Sequence, residues 1–219
     1  MTIAALLLAA GESTRMGRLK QLLPWAGAPL VAWQAGQLRA AGAADVVVVL
    51  GHAAVEILPS VPDFARVAVN EVYKRGRATS LSCGAAALPD DTEAVLILGV
   101  DQPRPTWLAR RLIERWRHGR PKVVSPRFEA GFGHPILLDG SLLPELRAVT
   151  EETLGLRAVI DRHVAEAASV PITNQAVHVD LNTPADYEAA LAAFQNGLWN
   201  EDATGPPTAG PSTAGPTTH

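Results

Sequence analysis

The sequence predicts an α/β fold, a three-layer α/β/α sandwich around a mostly parallel sheet. Short apolar runs alternate with segments of helical pattern, and the connections between them are short. The runs at residues 3–8, 44–50 and 94–100 carry almost no charge, which is typical of strands that helices cover on both faces. This alternation favours parallel strands that are joined by right-handed crossovers.

In the first half of the chain, strands and helices follow one another in regular succession. We predict a helix at 29–41 because it has proline in its first turn and ends before Gly42. The other elements predicted there are a strand at 3–8, a turn at 24–27, a strand at 44–50 and a weaker strand at 65–69.

The second half of the chain continues the same alternation. Ser80 or Thr79 is available to cap a helix at 80–88, and the helix at 107–117 is amphipathic with a strongly basic outer face. Further predicted elements are strands at 94–100, 123–125, 135–138 and 177–181, and helices at 142–146, 154–168 and 185–194.

The length and composition indicate one domain with a tail. The chain has 219 residues and is 47% apolar, which suffices for a single core of about 190 residues. We therefore expect one domain over residues 1–199. Glycine, proline and threonine dominate residues 200–219, and this stretch is predicted to be a disordered tail.

The charge, the cysteine content and the first apolar run exclude several classes of partner, crosslink and location. The net charge of −3 and the pI near 6.1 argue against a nucleic-acid partner, which would require a basic face. Cys83 is the only cysteine, so no disulfide can form within the chain, and we expect Cys83 to be a buried core residue. The first apolar run is too short to span a membrane and lacks a basic leader, so we expect a cytoplasmic location without a membrane partner.

Residues 9–20 form a glycine-containing loop with basic side chains. Small residues allow backbone N–H groups to approach a ligand closely, and basic residues offset phosphate charge. The loop therefore favours a polyphosphate at the carboxyl end of the first strand, although an ordinary strand-to-helix connection is the alternative. Its spacing matches neither the Walker lysine loop nor the dinucleotide-binding glycine motif.

The string Leu-Ala-Ala-Gly-x-Ser-x-Arg-Met-Gly-x-x-Lys, at residues 8–20, resembles the signature loop of the MobA-like nucleotidyltransferase family. Within that family it is most similar to the molybdenum cofactor cytidylyltransferases and their guanylyltransferase relatives. The resemblance covers about residues 3–193 and implies a Rossmann-like nucleotidyltransferase fold. It also implies catalytic roles for Arg15 and Lys20, and nucleotide binding by Ala9, Ala10, Gly11, Ser13, Gly17 and Lys20.

Two aspartates are candidate metal ligands. Asp101 follows the strand at 94–100, and open α/β sheets bind ligands beyond the carboxyl ends of their strands. Without the resemblance, Asp101 could equally cap the turn before Pro103. The resemblance makes Asp101 catalytic and, together with Asp180, a ligand of Mg²⁺. The alternation of residues 177–181 would place Asp180 and Asn182 on one side of a strand.

Residues 70–84 resemble the segment of this family that contacts the base. The resemblance assigns nucleotide contacts to Asn70, Arg77, Ser80 and Gly84, whereas a cap for the following helix is the alternative for Ser80. The cytidylyltransferase branch has Ala-Ala-Gly where the guanylyltransferase branch usually has Ala-Gly-Gly. Because Ala10 follows the first pattern, CTP is the favoured nucleotide.

We predict that Gly133 and His134 contact the acceptor substrate, because the sequence around them resembles a family loop that ends in Gly-His-Pro. Gln102 and Asn182 join them as predicted acceptor contacts. A lone histidine before a proline can also be purely structural. The chain departs from the family at residues 152–157, where the aspartate of Gly-Asp-x-Gly-x-Arg is missing.

The expected reaction transfers CMP from CTP to the terminal phosphate of molybdopterin and releases pyrophosphate, with Mg²⁺ as cofactor. A molybdenum enzyme is a possible client for the product. The alternatives are a guanylyltransferase, a sugar-phosphate nucleotidyltransferase, and a non-catalytic chaperone that delivers the cofactor to a molybdenum hydroxylase.

Overall fold

The computed structural model describes residues 2–128 and 131–202. Its strands are β1 (Ile3–Leu8), β2 (Pro24–Trp25), β3 (Ala28–Pro29), β4 (Asp45–Leu50), β5 (Arg66–Val69), β6 (Ala94–Gly99), β7 (Val123–Phe128), β8 (Gly131–Phe132), β9 (Ile136–Asp139) and β10 (Ala167–Pro171). Its α-helices are α1 (Leu30–Ala41), α2 (Ala54–Ile57), α3 (Arg77–Ala86), α4 (Thr106–Arg117), α5 (Leu143–Arg147), α6 (Gly155–Arg162) and α7 (Pro184–Gln195).

The central sheet has the strand order β10-β7-β9-β6-β1-β4-β5, with β8 paired to β7. β1 runs parallel to both of its neighbours, β4 and β6. β9 runs antiparallel to β6 and β7, and β10 is parallel to β7. The sheet is therefore mostly parallel, and the predicted fold class is confirmed.

The two faces of the sheet are covered by different helices. Alternate residues of β1 point to opposite faces: Leu7 packs with the layer of α1, α4 and α7, whereas Leu6 packs with the layer of α3, α5 and α6. Both side chains are fully buried. Burial of each leucine contributes about 1.5–3 kcal/mol, which explains why an uncharged strand takes the central position. The carboxyl end of β1 consequently lies in the middle of the sheet edge.

The largest departure from the predicted elements lies near the carboxyl end. The helix predicted at 154–168 ends at Arg162, and β10 forms over Ala167–Pro171 at the sheet edge. The strand predicted at 177–181 was wrong, because Gln175–His178 is a 3₁₀-helix. The Val177 and Val179 carbonyls accept hydrogen bonds from the Arg104 side chain instead of from a neighbouring strand.

Helix α3 begins earlier than the sequence pattern suggested. Its first residue is Arg77, and the residue before it is Gly76, whose φ of +124° suits glycine. The predicted caps were therefore wrong, because Thr79 and Ser80 lie inside the helix and their hydroxyls accept hydrogen bonds from Asn70. The turn predicted at 24–27 is the tip of the small β2–β3 hairpin.

Gly84 lies on the buried face of α3, one turn after Ser80. A Cβ at this position would lie 2.8 Å from Val49 Cγ2 and 3.2 Å from Leu6 Cδ2. The structure therefore gives Gly84 a packing role where the helix crosses β1 and β4, and Gly84 is not among the residues that line the two clefts described below.

We expect Gly84→Ala to lower the free energy of unfolding by about 1–3 kcal/mol, because the added methyl group overpacks the contact with the sheet. Urea titration followed by circular dichroism measures this change. The control is Gly36→Ala in α1, where nothing lies within 4 Å of the new Cβ. That variant should be neutral or slightly stabilising, since alanine favours a helix. Equal stability of the two variants would contradict the packing role.

The chain after α7 is described only as far as residue 202. Within the predicted tail, the Asn200 carbonyl accepts a hydrogen bond from Asn174, and Glu201 pairs with Arg111 at 2.7 Å. Residues 203–219, the rest of the stretch predicted to be disordered, lie outside the described residues. None of the helices within 2–128 and 131–202 has the length and apolar character needed to cross a membrane.

Candidate functional site

A cleft of about 640 Å³ opens where the carboxyl ends of β1 and β6 meet. Small-molecule sites commonly occupy about 300–1,000 Å³, so its volume suits a nucleotide-sized ligand. The predicted site residues that line this cleft are Ala10, Gly11, Ser13, Lys20, Arg77, Ser80 and Asp101. We call it the first cleft.

The loop after β1 is folded by its own side chains. Ser13 adopts the left-handed conformation with φ of +57°, and its Oγ accepts a hydrogen bond from the Lys20 backbone N–H. The buried Gln21 amide donates to the Ala9 carbonyl at 2.7 Å and to the Gly11 carbonyl at 3.1 Å. These bonds bend the loop back on itself beside the first cleft.

Two small residues of the loop do not line the first cleft. The Ala9 N–H donates to the Val49 carbonyl, so Ala9 continues the pairing of β1 with β4. Gly17 ends the 3₁₀-turn Thr14–Met16 with φ of +70°. Both predicted nucleotide contacts therefore shape the loop, and the structure does not bring them to the cleft surface.

Lys20 connects the loop to one carboxylate and one amide side chain from distant parts of the chain. Its Nζ lies 3.5 Å from Asp101 Oδ2 and 3.5 Å from Asn182 Oδ1. Arg15 Nη2 donates to the same Asn182 oxygen at 3.0 Å. The Lys20 side chain is only 11% exposed, whereas that of Asp101 is 28% exposed. The carboxylate thus stays accessible beside a largely buried ammonium group.

A second cleft, of about 690 Å³, adjoins the first and shares Leu8, Arg77 and Gly99 with it. Three of the predicted acceptor residues line it, namely Gln102, Gly133 and His134. Asp180 and Arg157 line it as well. The fourth predicted acceptor residue, Asn182, lies beside Lys20 and Arg15 instead. The structure therefore places Asn182 next to the loop at residues 9–20 rather than in the second cleft.

The surroundings of His134 favour its neutral form. Burial lowers its pKa below the ordinary value, and the positive charge of Arg104 lowers it further. The Gln102 amide nitrogen lies 3.3 Å from His134 Nδ1. Because an amide NH₂ group can only donate, Nδ1 accepts this bond and the ring proton is on Nε2.

Residues 5–168 match the family described as the MobA-like NTP transferase domain. This match spans most of the chain. The chain belongs to the MobA-like NTP transferase family.

Several curated relatives of this MobA-like chain carry the name bifunctional protein GlmU. That of Geobacter metallireducens is 36% identical over 181 residues, which cover 76% of the chain and 37% of GlmU. The chain therefore spans little more than a third of that relative. Nicotine blue oxidoreductase from Paenarthrobacter nicotinovorans is 32% identical over 168 residues, which cover 72% of the chain and 81% of the oxidoreductase.

Solved structures support the same family at the level of the fold. Rv0371c from Mycobacterium tuberculosis H37Rv superimposes with a TM-score of 0.75 at 27% identity, over 88% of the MobA-like chain and 98% of Rv0371c. A second structure of that protein is a complex with manganese; it gives a TM-score of 0.72 at 24% identity, over 88% and 100% of the two chains. The Rossmann-like nucleotidyltransferase fold is thereby confirmed.

The predicted base segment of this MobA-like domain is built around Asn70. Its side-chain amide donates to Thr79 Oγ1 at 2.8 Å and to Ser80 Oγ at 2.9 Å, and Asn70 itself is buried. Ser80 lines the first cleft, so Asn70 can act on a ligand only through the hydroxyl that it orients. Arg77 is exposed at the boundary of the two clefts.

Sequence reasoning missed three buried polar residues that hold the site together: Gln21, Gln34 and Arg104. Gln34 of α1 donates to the Gln102 carbonyl at 2.6 Å and accepts from the Arg104 N–H at 3.0 Å. It therefore fixes the turn that follows Asp101. A signal was present, because Gln34 lies midway between Leu30 and Leu38 on the buried stripe of α1.

Proposed function

We propose that the chain transfers CMP from CTP to the terminal phosphate of molybdopterin and releases pyrophosphate. The contact between Lys20 and Asp101 carries this proposal, since it joins the basic loop to the acidic strand end inside one cleft. Triphosphate binding needs cationic and N–H donors together with carboxylates for a divalent ion. A lysine and a carboxylate meet at this cleft, and backbone N–H groups of the loop beside them would complete the set.

Asp101, which lines the first cleft, and Asp180, which lines the second, are the two carboxylates that would hold a divalent cation together with phosphate. Asp101 and Asp180 have side chains that are 28% and 47% exposed. Within residues 2–128 and 131–202 no cluster of three or more metal-ligating side chains occurs. Mg²⁺ typically takes one or two carboxylates and completes its shell with phosphate oxygens and water. When bound, the cation would polarise the α-phosphate of the nucleotide.

The nucleotide side of the reaction depends on alignment and charge neutralisation. Lys20 and Arg15 would hold the β- and γ-phosphates and offset the charge that builds on the departing pyrophosphate. Ser13 keeps the loop in its bent form through its bond to the Lys20 N–H. Ser80, oriented by Asn70, would contact the edge of the base.

The acceptor side needs no general base. A phosphate monoester is already ionised near neutral pH, so one of its oxygens can attack the α-phosphorus directly. A new P–O bond forms there as the bond to the β-phosphate oxygen breaks, and pyrophosphate leaves with that electron pair. Arg77 and Arg157 line the second cleft and would hold the acceptor anion, while His134 Nε2 would donate a hydrogen bond to it.

A sugar-phosphate nucleotidyltransferase is the second candidate. The missing aspartate at residues 152–157 on the acceptor side leaves room for an acceptor other than molybdopterin. The first cleft would serve both reactions unchanged, so the two candidates differ only in what the second cleft holds.

The deciding experiment measures pyrophosphate release by the full chain with each nucleoside triphosphate and acceptor, in Mg²⁺ or Mn²⁺. We expect release with CTP and molybdopterin, and a larger thermal shift with CTP than with GTP, because tighter binding stabilises the folded state more. Release with sugar 1-phosphates alone would establish the second candidate. Nucleotide binding without pyrophosphate from any acceptor would indicate the carrier role.

Ala10→Gly provides a matched variant for the choice of base. A Cβ placed on Gly51 would lie 2.8 Å from the Ala10 methyl group, so this methyl group fills the space above Gly51. The guanylyltransferases that the loop resembles usually have glycine at this position, so removal of the methyl group should reduce the preference for CTP over GTP. An unchanged ratio of the two KM values would contradict the role of residue 10 in base selection.

A further inference from the structure

Arg104 is a buried charge at the base of the second cleft. It follows the turn after Asp101, and only 2% of the residue is exposed. Its guanidinium donates to four backbone carbonyls. These are the carbonyls of Pro103 at 3.0 Å, His134 at 2.9 Å, Val177 at 2.8 Å and Val179 at 2.7 Å.

These carbonyls belong to three separate parts of the chain. Pro103 lies in the turn after β6, His134 precedes β9, and Val177 and Val179 lead into α7. Each part contributes a wall of the second cleft through Gln102, through His134, or through Val177 and Asp180. One side chain therefore connects the segments that surround the space proposed for the acceptor.

The remaining contact of Arg104 is electrostatic. Its Nη2 lies 3.8 Å from Asp180 Oδ1, and the Asp180 side chain is 47% exposed. Burial lowers the pKa of Arg104 to about 10, which still leaves the group protonated at neutral pH. The carbonyl dipoles offset the cost of burying this charge, and the ion pair restrains Asp180 at the edge of the cleft.

We propose that Arg104 is a positioning residue that holds the acceptor cleft in shape by tying the His134 loop and the Val177–Asp180 segment to the turn after Asp101. This inference rests on the proposed transferase function. Arginine suits the task because its planar fork reaches several acceptors at once, whereas a lysine ammonium cannot span the same four carbonyls.

The inference separates acceptor binding from nucleotide binding. Lys20, Arg15 and Gln21 shape the loop at residues 9–20 through contacts that do not involve Arg104. We therefore expect Arg104→Lys to raise the KM for the acceptor about tenfold or more, since displaced positioning groups commonly cost up to about 100-fold. The KM for CTP should rise by a clearly smaller factor, because Lys20, Asp101 and Gln21 keep their contacts and only Asp180 of the nucleotide side is restrained by Arg104.

The experiment compares Arg104→Lys and Arg104→Met with Arg110→Lys, which changes an exposed arginine on α4. Acceptor and nucleotide KM values are measured in each case. Hydrogen exchange of the peptides that contain residues 133–134 and 177–181 gives a second readout that does not depend on activity. We expect faster exchange in both peptides for Arg104→Lys and unchanged exchange for Arg110→Lys.

Wild-type values of the acceptor KM and of the exchange rates in Arg104→Lys would overturn the inference. Equal increases in the acceptor and CTP KM values would also overturn it, because they would indicate a general structural defect. Should Arg104→Met not fold, Arg104→Lys still decides the matter. A wild-type chain that releases no pyrophosphate with any acceptor would refute the proposed function, and hydrogen exchange would then decide on Arg104 alone.

Discussion

Asp101→Asn is expected to lower kcat about 1,000-fold, because the change removes the carboxylate charge that would hold the divalent cation at the triphosphate. The substitution preserves the size of the side chain, and the Asp101 carbonyl can still accept its hydrogen bond from the Leu181 N–H. The side chain is partly exposed, and the asparagine oxygen can still accept a hydrogen bond from the largely buried Lys20 ammonium. Folding should therefore remain intact.

Steady-state pyrophosphate release and thermal unfolding of the same preparation check this prediction. The control is Asp45→Asn, which removes the ion pair with Arg66 at the amino end of β4, the end of the strand away from the clefts. An ion pair of this kind contributes at most about 1 kcal/mol to stability, and kcat should not change. A kcat for Asp101→Asn within threefold of the wild-type value would remove Asp101 from the mechanism.

Lys20→Met is expected to lower kcat about 100-fold by removing the cation closest to Asp101. Methionine retains most of the aliphatic stem, which is the part that packs beneath the loop. The hydrogen bond from the Lys20 backbone to Ser13 is independent of the side chain, so the loop should keep its bend. The loss then reports on charge and not on folding.

The double variant tests whether Lys20 and Asp101 act together. Two groups that hold one triphosphate form a unit, so their combined loss should be much smaller than the product of the single losses. Lys122→Met is the control, since Lys122 pairs with Asp139 at the far end of β9. Fully multiplicative losses in kcat would show that Lys20 and Asp101 act on separate steps.

The parts of the fold that follow from local pattern could be predicted from the sequence. β1 is an uncharged run, and the loop after it is marked by small and basic residues within a few positions. Asp101 directly follows the last residues of an apolar strand. These features need no knowledge of distant contacts, and for this reason Lys20 and Asp101 were recognised as candidates.

The polar framework beneath the site could not be predicted in the same way. Arg104 and its partner Val179 are 75 positions apart, and Gln34 and Arg104 are 70 positions apart. Nothing local distinguishes Arg104 from an arginine that faces solvent, and the place of Gln34 on the buried stripe of α1 indicates its burial but not the groups that it contacts. The stretch 177–181 alternates like a strand, yet the Val177 and Val179 carbonyls accept hydrogen bonds from Arg104. This contact joins distant parts of the chain and forms only in the folded protein, so the local pattern could not predict it.

The antiparallel strand β9 lies between β6 and β7, and the two clefts are lined by different parts of the chain. The first cleft is lined from within residues 8–21, 73–80 and 99–101, all in the amino-terminal half of the chain, whereas the second cleft adds residues from within 133–134, 151–157 and 177–180. We expect that exchanging residues 150–157 for those of a relative, by evolution or by engineering, changes the acceptor compound. The nucleoside triphosphate that is consumed should stay the same.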